Sequence, residues 1–280
     1  MCWKTSRREI SLDKTLVMAI LNVTPDSFSD GGKFFPVDDA LRQTEKLLIE
    51  GADIIDIGGE STRPNSKRVS IDEEIKRVVP VIGEISKRFD IPISIDTSKS
   101  EVAAKAVEAG AEIINDISGL RFDEKIAEIA AKYETGLVLM HLRGEFETMH
   151  EQKTVENIIE EISKGFRRSL DKAENYKLKK EQIALDVGIG FSKTFEQNLE
   201  LLAKLDKICA EFSDYPVLIG ASRKSFIGKI LGDAPVDERN FGTLAANAVA
   251  VWNGAKILRV HDVRETVDVI KTVEAIKIKK

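Results

Sequence analysis

Polar and ionisable residues recur along this chain at the ends of short apolar runs. Asn22 follows VMAIL, Asp96-Thr97-Ser98-Lys99 follows ISI, and Asn115-Asp116 follows II. His141 follows LVLM, Asp186 follows IAL, and Arg259, His261 and Asp262 cluster at ILRV. Two further runs lead into Gly58-Gly59-Glu60-Ser61-Thr62-Arg63-Pro64 and Ser222-Arg223-Lys224-Ser225. Gathered in one place, Asp96, Asn115, Asp186 and Lys224 would offer two carboxylates, an amide and an ammonium. That set suits a flat heterocycle with amino, ring N–H and carbonyl groups on one edge, because a carboxylate accepts two parallel bonds from an amidine-like N–H pair. Arg259, His261 and Asn22 suit an anion such as a phosphate, with or without a metal ion, at the opposite end of the same mouth. Ser222-Arg223-Lys224-Ser225 adds hydroxyls and positive charge at an expected helix start, a second anion site. The plainer readings are helix caps for Asp96, Asp116 and Asp262 and a rim salt bridge for Arg223. One such residue decides nothing; eight strand ends delivering polar groups to one rim favour a binding site.

The elements that would carry these residues alternate. Apolar, β-branched runs at 16–21, 54–57, 93–95, 113–115, 137–140, 183–185, 217–219 and 257–260 read as parallel strands covered on both faces. Segments of helical period at 38–50, 71–88, 100–109, 123–132, 155–175, 195–212, 240–253 and 263–278 lie between or after them. Gly51, Gly110, Gly136 and Gly254 stand where C-cap glycines belong. Eight strand–helix pairs in 280 residues predict a single-domain α/β (β/α)8 TIM barrel over 16–280. An open doubly wound sheet is the competing fold, but no phosphate-binding glycine loop follows the first strand. Residues 1–15 precede the barrel and are expected to cover its floor. Chemistry in such a barrel sits at the C-terminal strand ends, where the polar residues fall.

Composition narrows the function class. The formal charge of −5 argues against bulk nucleic-acid binding. No apolar run is of membrane-spanning length, and no secretory leader pattern opens the chain. With only Cys2 and Cys209, a cytoplasmic protein is expected. The three histidines, His141, His150 and His261, have no zinc-ligand spacing, so His141 and His150 read as polar loop residues.

Seven motifs then run in order through nearly the whole chain: ILNVTPDSFSDGG (20–32), GADIIDIGGESTRP (51–64), ISIDT (93–97), IINDISG (113–119), LDVGIGF (185–191), SRKSFIG (222–228) and RVHDV (259–263). Together they resemble the dihydropteroate synthase family, the folate-pathway enzymes targeted by sulfonamides. The resemblance implies condensation of dihydropterin-methyl diphosphate with 4-aminobenzoate, releasing diphosphate. It implies that Asp96, Asn115, Asp186 and Lys224 hold the dihydropterin, that Asn22 ligates Mg2+, and that Thr62, Arg259 and His261 contact the diphosphate. Phe28, Arg63, Pro64 and Phe191 would line the 4-aminobenzoate pocket, with Ser225 and Lys224 at its carboxylate. Asp96, Asp186, Lys224, Arg259 and His261 would carry the catalysis, with Asp26 or Asp30 assisting. Val187, Asn65, Ala19 and Leu142 depart from the family's usual proline, glycine, glycine and methionine, and none is an implied contact side chain.

The resemblance also implies a homodimer through outer helices near the C-terminal half; Phe226, Ile227, Ile230, Leu231 and Trp252 could serve there or equally be ordinary barrel packing, the reading favoured for Trp252. Within 23–32 it implies a mobile lid carrying Phe28, while Asn22 stays fixed at the strand end. Two rivals differ in class: a corrinoid-linked methyltransferase barrel and a non-catalytic pterin-binding paralogue. Against the first stand Ser61-Thr62-Arg63-Pro64 and Ser222-Arg223-Lys224-Ser225. Against the second stands the completeness of the charged set.

Overall fold

The computed structural model describes residues 1–24, 36–62, 66–150 and 154–279. A hairpin of β1 (Cys2–Lys4) and β2 (Glu9–Ser11) precedes eight parallel strands. These are β3 (Leu16–Asn22), β4 (Ile54–Gly58), β5 (Ile93–Asp96), β6 (Ile113–Asp116), β7 (Gly136–Met140), β8 (Ile183–Asp186), β9 (Val217–Ile219) and β10 (Ile257–Val260). They follow chain order round a closed barrel, and β10 pairs with β3, placing Ile257 opposite Leu16 and Val260 opposite Ala19. An open doubly wound sheet has no such pairing. Each strand falls within one residue of its expected bounds, and the added residue is usually the polar one. Asn22, Gly58, Asp96, Asp116 and Asp186 all belong to the ladder.

The surrounding helices are α1 (Pro36–Glu50), α2 (Ile71–Arg88), α3 (Ser100–Ala109), α4 (Lys125–Lys132), α5 (Ile158–Asn175), α6 (Phe195–Ala203), α7 (Leu205–Glu211), α8 (Ser225–Ile230), α9 (Asn240–Trp252) and α10 (Val263–Lys277). The single helix expected over 195–212 breaks at Lys204 into α6 and α7. Several starts are written locally: Ser70 accepts from Glu73 N, Asn157 from Glu160 N and Thr194 from Gln197 N, each at 3.2 Å. Gly51, Gly110 and Gly254 take the positive φ expected of helix ends. Gly136 does not. It opens β7, and α4 closes instead through Glu134 at φ +53°. A Cβ on Gly136 would stand 3.4 Å from Trp3 and 3.2 Å from Ile113, so its glycine leaves room for the hairpin.

Strand alternation divides the interior in two. Outward residues such as Ile55, Ile57, Ile95 and Leu185 pack under the helices. The inward residues of the lower barrel are Leu16, Met18, Ile54, Ile113, Val138, Ala184, Leu218 and Ile257, closed from below by Trp3 and Leu12. Trp3 is fully buried and donates from Nε1 to the Gln182 carbonyl at 2.9 Å. Two residues further along the strands, the inward positions become Asp56, Asn115, Asp186 and Arg259, so the polar layer sits directly above an apolar floor.

Candidate active site

At the mouth, register lines up the polar residues. Asn22 pairs with Gly58, Gly58 with Asp96, and Asp96 with Asn115. Arg259 lies across this row from β10. Its Nε donates to Asp56 Oδ2 at 2.6 Å, and a terminal nitrogen donates to Asp96 Oδ2 at 2.6 Å. Asn115 Nδ2 reaches the same Asp56 oxygen at 3.2 Å. The sequence reading set Arg259 at the opposite end of the mouth from Asp96. The structure corrects this: the guanidinium clamps the two carboxylates together, since a buried aspartate pair needs a cation between its members.

Asp56 was missed. It is fully buried, and its Oδ1 has no hydrogen-bond partner among the described residues. A signal existed: an aspartate interrupts the apolar run IIDI two residues before Gly58, on the inward phase.

Burial raises the Asp96 carboxyl to about 7, against the opposing pull of Arg259, with Asp56 adding to the rise. For Arg259, burial alone would favour loss of the proton, but Asp56 and Asp96 hold the charge on firmly. Burial likewise raises Asp186, which Lys224 counteracts. The Lys224 ammonium is lowered by burial to about 8, with Asp186 opposing. Three carboxylates, Asp56, Asp96 and Asp186, thus face two cations, Arg259 and Lys224.

The β8–α6 loop forms the other wall. Asp186 Oδ1 accepts the Gly188 N–H at 2.7 Å. Lys224 Nζ donates to the Ile189 carbonyl and lies 4.4 Å from the centre of the Phe191 ring. Gly190 stands at φ +80°, and a Cβ there would come within 2.7 Å of Lys224 Cδ, so glycine is needed twice over. His150, read from sequence as a plain loop residue, stacks on Phe191 with ring centres 5.5 Å apart. Its Nε2 is 2.9 Å from the Thr62 carbonyl, so it joins the β4–α2 loop to this wall. Ser222 Oγ and His261 Nδ1 are 2.9 Å apart at the β9 and β10 ends. Ser225 is exposed as the first residue of α8.

Several strand-end residues serve the scaffold instead. His141 is buried behind the mouth, against Gly165 of α5, with Nδ1 3.1 Å from Lys193 Nζ. Asp116 binds its own loop, accepting from Ser118 N, Ser118 Oγ and Leu120 N at 2.6–2.8 Å. Arg223, at φ +57°, pairs with Asp262 through two nitrogens, which is the rim salt bridge. That pairing also removes the helix-cap reading of Asp262, whose side chain caps nothing. Asp96 is likewise no cap, being held by Arg259. Among the departures, Ala19, Leu142 and Val187 are buried apolar residues. Phe28, Arg63, Pro64, Asn65, Asp26 and Asp30, and most of the lid expected over 23–32, lie outside the described residues.

Residues 18–261 match the pterin binding enzyme family. A dihydropteroate synthase from Clostridium beijerinckii is 47% identical over 264 residues, covering 94% of each chain. The structure of Yersinia pestis dihydropteroate synthase with a sulfonamide drug complex superposes with a TM-score of 0.92 at 40% identity, covering 99% of both chains. That of Xanthomonas albilineans dihydropteroate synthase with 4-aminobenzoic acid gives 0.91 at 38% identity, covering 99% of this chain and 98% of the other. The chain therefore belongs to the dihydropteroate synthase family of pterin-binding barrels.

Proposed function

We propose that the protein condenses (7,8-dihydropterin-6-yl)methyl diphosphate with 4-aminobenzoate to give 7,8-dihydropteroate and diphosphate, a step of tetrahydrofolate synthesis. The observation that carries this reading is the set of buried Asp56 and Asn115 with partly buried Asp96 and Arg259, beside Asp186 and Lys224. It presents carboxylates and an amide to one edge of a flat ring. Asp96, Asn115, Asp186 and Lys224 bind the dihydropterin; Thr62, Arg259 and His261 meet its diphosphate. Phe28, Arg63, Pro64 and Phe191 line the 4-aminobenzoate slot, with Lys224 and Ser225 at its carboxylate.

The aromatic amine is neutral near pH 7, so the demanding step is departure of diphosphate. We assign an SN1-like path: the methylene C–O bond breaks first, the pterin ring spreads the positive charge, and the amine nitrogen then forms the C–N bond and loses a proton. Three carboxylates against two cations leave the pocket net negative when all are ionised, which favours a cation at that carbon. Asn22, half-exposed at its strand end, offers one hard oxygen donor. Mg2+ retains several waters and needs few protein ligands, so one amide oxygen beside a diphosphate fits it. When bound there, Mg2+ would offset charge on the leaving diphosphate.

A homodimer suits one outer face. Ile230, Leu231, Val236, Phe241, Val249 and Trp252 are 42–84% exposed across α8, α9 and the segment between them. Phe226 and Ile227, also candidates from sequence, are buried inside the subunit and fall away as contacts. Phe241→Lys is expected to convert the dimer to monomer in sedimentation velocity; an unchanged sedimentation coefficient would remove this face. Cytoplasmic residence fits the two free cysteines. No helix among the described residues is long and apolar enough to cross a membrane.

The direct assay mixes purified protein, the pterin diphosphate, 4-aminobenzoate and Mg2+, and follows dihydropteroate and diphosphate. Absence of both products at enzyme excess overturns the synthase reading. The pH dependence is a second check. Asp96 accepts from the pterin when ionised, above about 7, while Lys224 carries its charge below about 8. The kcat/KM for the pterin substrate should therefore rise through about 7 and fall through about 8, because that ratio reports groups of the free enzyme. A flat profile over this range would contradict both roles.

A further inference from the structure

Lys193 is a buried lysine that none of the chemistry above uses. Its Nζ lies 2.9 Å from the Gly188 carbonyl, 3.0 Å from the Phe191 carbonyl and 3.1 Å from His141 Nδ1, with the His141 carbonyl at 3.4 Å. Among the described residues it has no carboxylate within ion-pairing distance. Burial drives both Lys193 and His141 well towards their neutral forms. The amine can donate to the two carbonyls, and its contact with His141 Nδ1 runs in either direction according to the ring tautomer. Such a group is costly to bury unless every partner is matched.

What Lys193 holds is a tightly wound turn. Gly188, Gly190 and Ser192 all have positive φ, at +68°, +80° and +50°. The turn's amides are anchored elsewhere, Gly190 N by Asn198 Oδ1 at 2.7 Å and Ser192 N by the Met149 carbonyl at 2.8 Å. Lys193 takes the carbonyl side. Those carbonyls bracket Ile189, which accepts the Lys224 ammonium, and Phe191, whose ring lies under it.

We infer that Lys193 is a positioning residue that sets the 4-aminobenzoate slot, by fixing through the Gly188 and Phe191 carbonyls where Phe191 and the Ile189 carbonyl meet Lys224. It acts through those groups and touches no substrate. This inference rests on the synthase reading and on the assignment of Phe191 and Lys224 to the second substrate. The pterin end shares only Lys224 and the Gly188 N–H bond to Asp186 with this turn, so it is expected to be affected less. Asp96, Asn115, Asp56 and Arg259 stand on other strands, and Asp186 is held by pairing with Met140 and Leu218.

The test compares wild type with Lys193→Met, which keeps the stem and removes the donors, and Lys193→Gln, which keeps an amide donor. Steady-state constants are measured for each substrate, with circular dichroism to establish folding. Lys193→Met should raise the KM for 4-aminobenzoate by about tenfold, since sub-ångström misplacement is amplified in affinity, while kcat and the KM for the pterin diphosphate stay within about threefold. Lys193→Gln should recover part of the loss, and it carries the test alone if the methionine variant does not fold. Unchanged constants in a folded variant, or equal losses for both substrates, would overturn the inference. A wild type that makes no dihydropteroate would instead overturn the synthase reading.

Discussion

Replacing Arg259 with methionine will cost the protein both activity and stability. The substitution leaves Asp56 and Asp96 side by side without the cation that lies 2.6 Å from each. Removing one partner of a buried ion pair typically destabilises by about 3–5 kcal/mol, because the remaining charge stays out of water. Thermal unfolding measures that loss, and its pH dependence separates this cause from lost packing. Burial already raises Asp96 to about 7 in the folded protein, from an ordinary value near 3.8. A raised carboxyl gives its stability below the unfolded value and loses it as pH rises through the folded one. Without Arg259, whose charge holds Asp96 down, that carboxyl rises further, so the gap from wild type should be narrow at pH 5 and wide at pH 8. A gap independent of pH would mean that the guanidinium stem, not its charge, was lost. In turnover, the same variant should fall at least about tenfold, because charge developing on the leaving diphosphate is left unpaired.

Trp3→Ala is the second large effect, and it acts far from the mouth. The indole is fully buried among Leu16, Met18, Ile54, Ile113, Val138, Ala184, Leu218 and Ile257. Truncating such a side chain costs about 3–5 kcal/mol, since the barrel floor cannot collapse to fill the space. The Gln182 carbonyl also loses its 2.9 Å bond. The expected result is a Tm lower by roughly 10 °C, with KM for either substrate little changed in the protein that remains folded. A shift of only a degree or two would show that the hairpin does not close the floor.

The fold was legible because strand and helix periods alternate cleanly in this sequence, and a β-strand's two-residue period places Ile54 and Asp56 on one face wherever the strand packs. The polar residues at strand ends were legible for the same reason. What periodicity cannot supply is pairing. That Arg259 would turn to Asp56 and Asp96, while Asp262 took Arg223, depends on register between strands distant in sequence. His141 shows the limit most directly. Its strand-end position predicted the mouth, yet in the outward phase its ring faces α5, where Gly165 makes room for it. Asp56 was passed over because it lies inside an apolar run, where burial by a distant arginine leaves no local trace. The break at Lys204 and the stacking of His150 on Phe191 are likewise tertiary in origin.

The Trp3 plug has a consequence for traffic. A barrel sealed at one end is a blind cup, so whatever enters must pass the same rim on the way out. The groups assigned to the pterin lie in the deepest polar layer, just above the apolar floor, whereas Phe191, His150 and the Thr62 carbonyl stand higher. Occupancy should then follow a queue: pterin diphosphate first, 4-aminobenzoate behind it. An early 4-aminobenzoate would act as a cork, and excess of it should slow turnover in a way that more pterin diphosphate relieves.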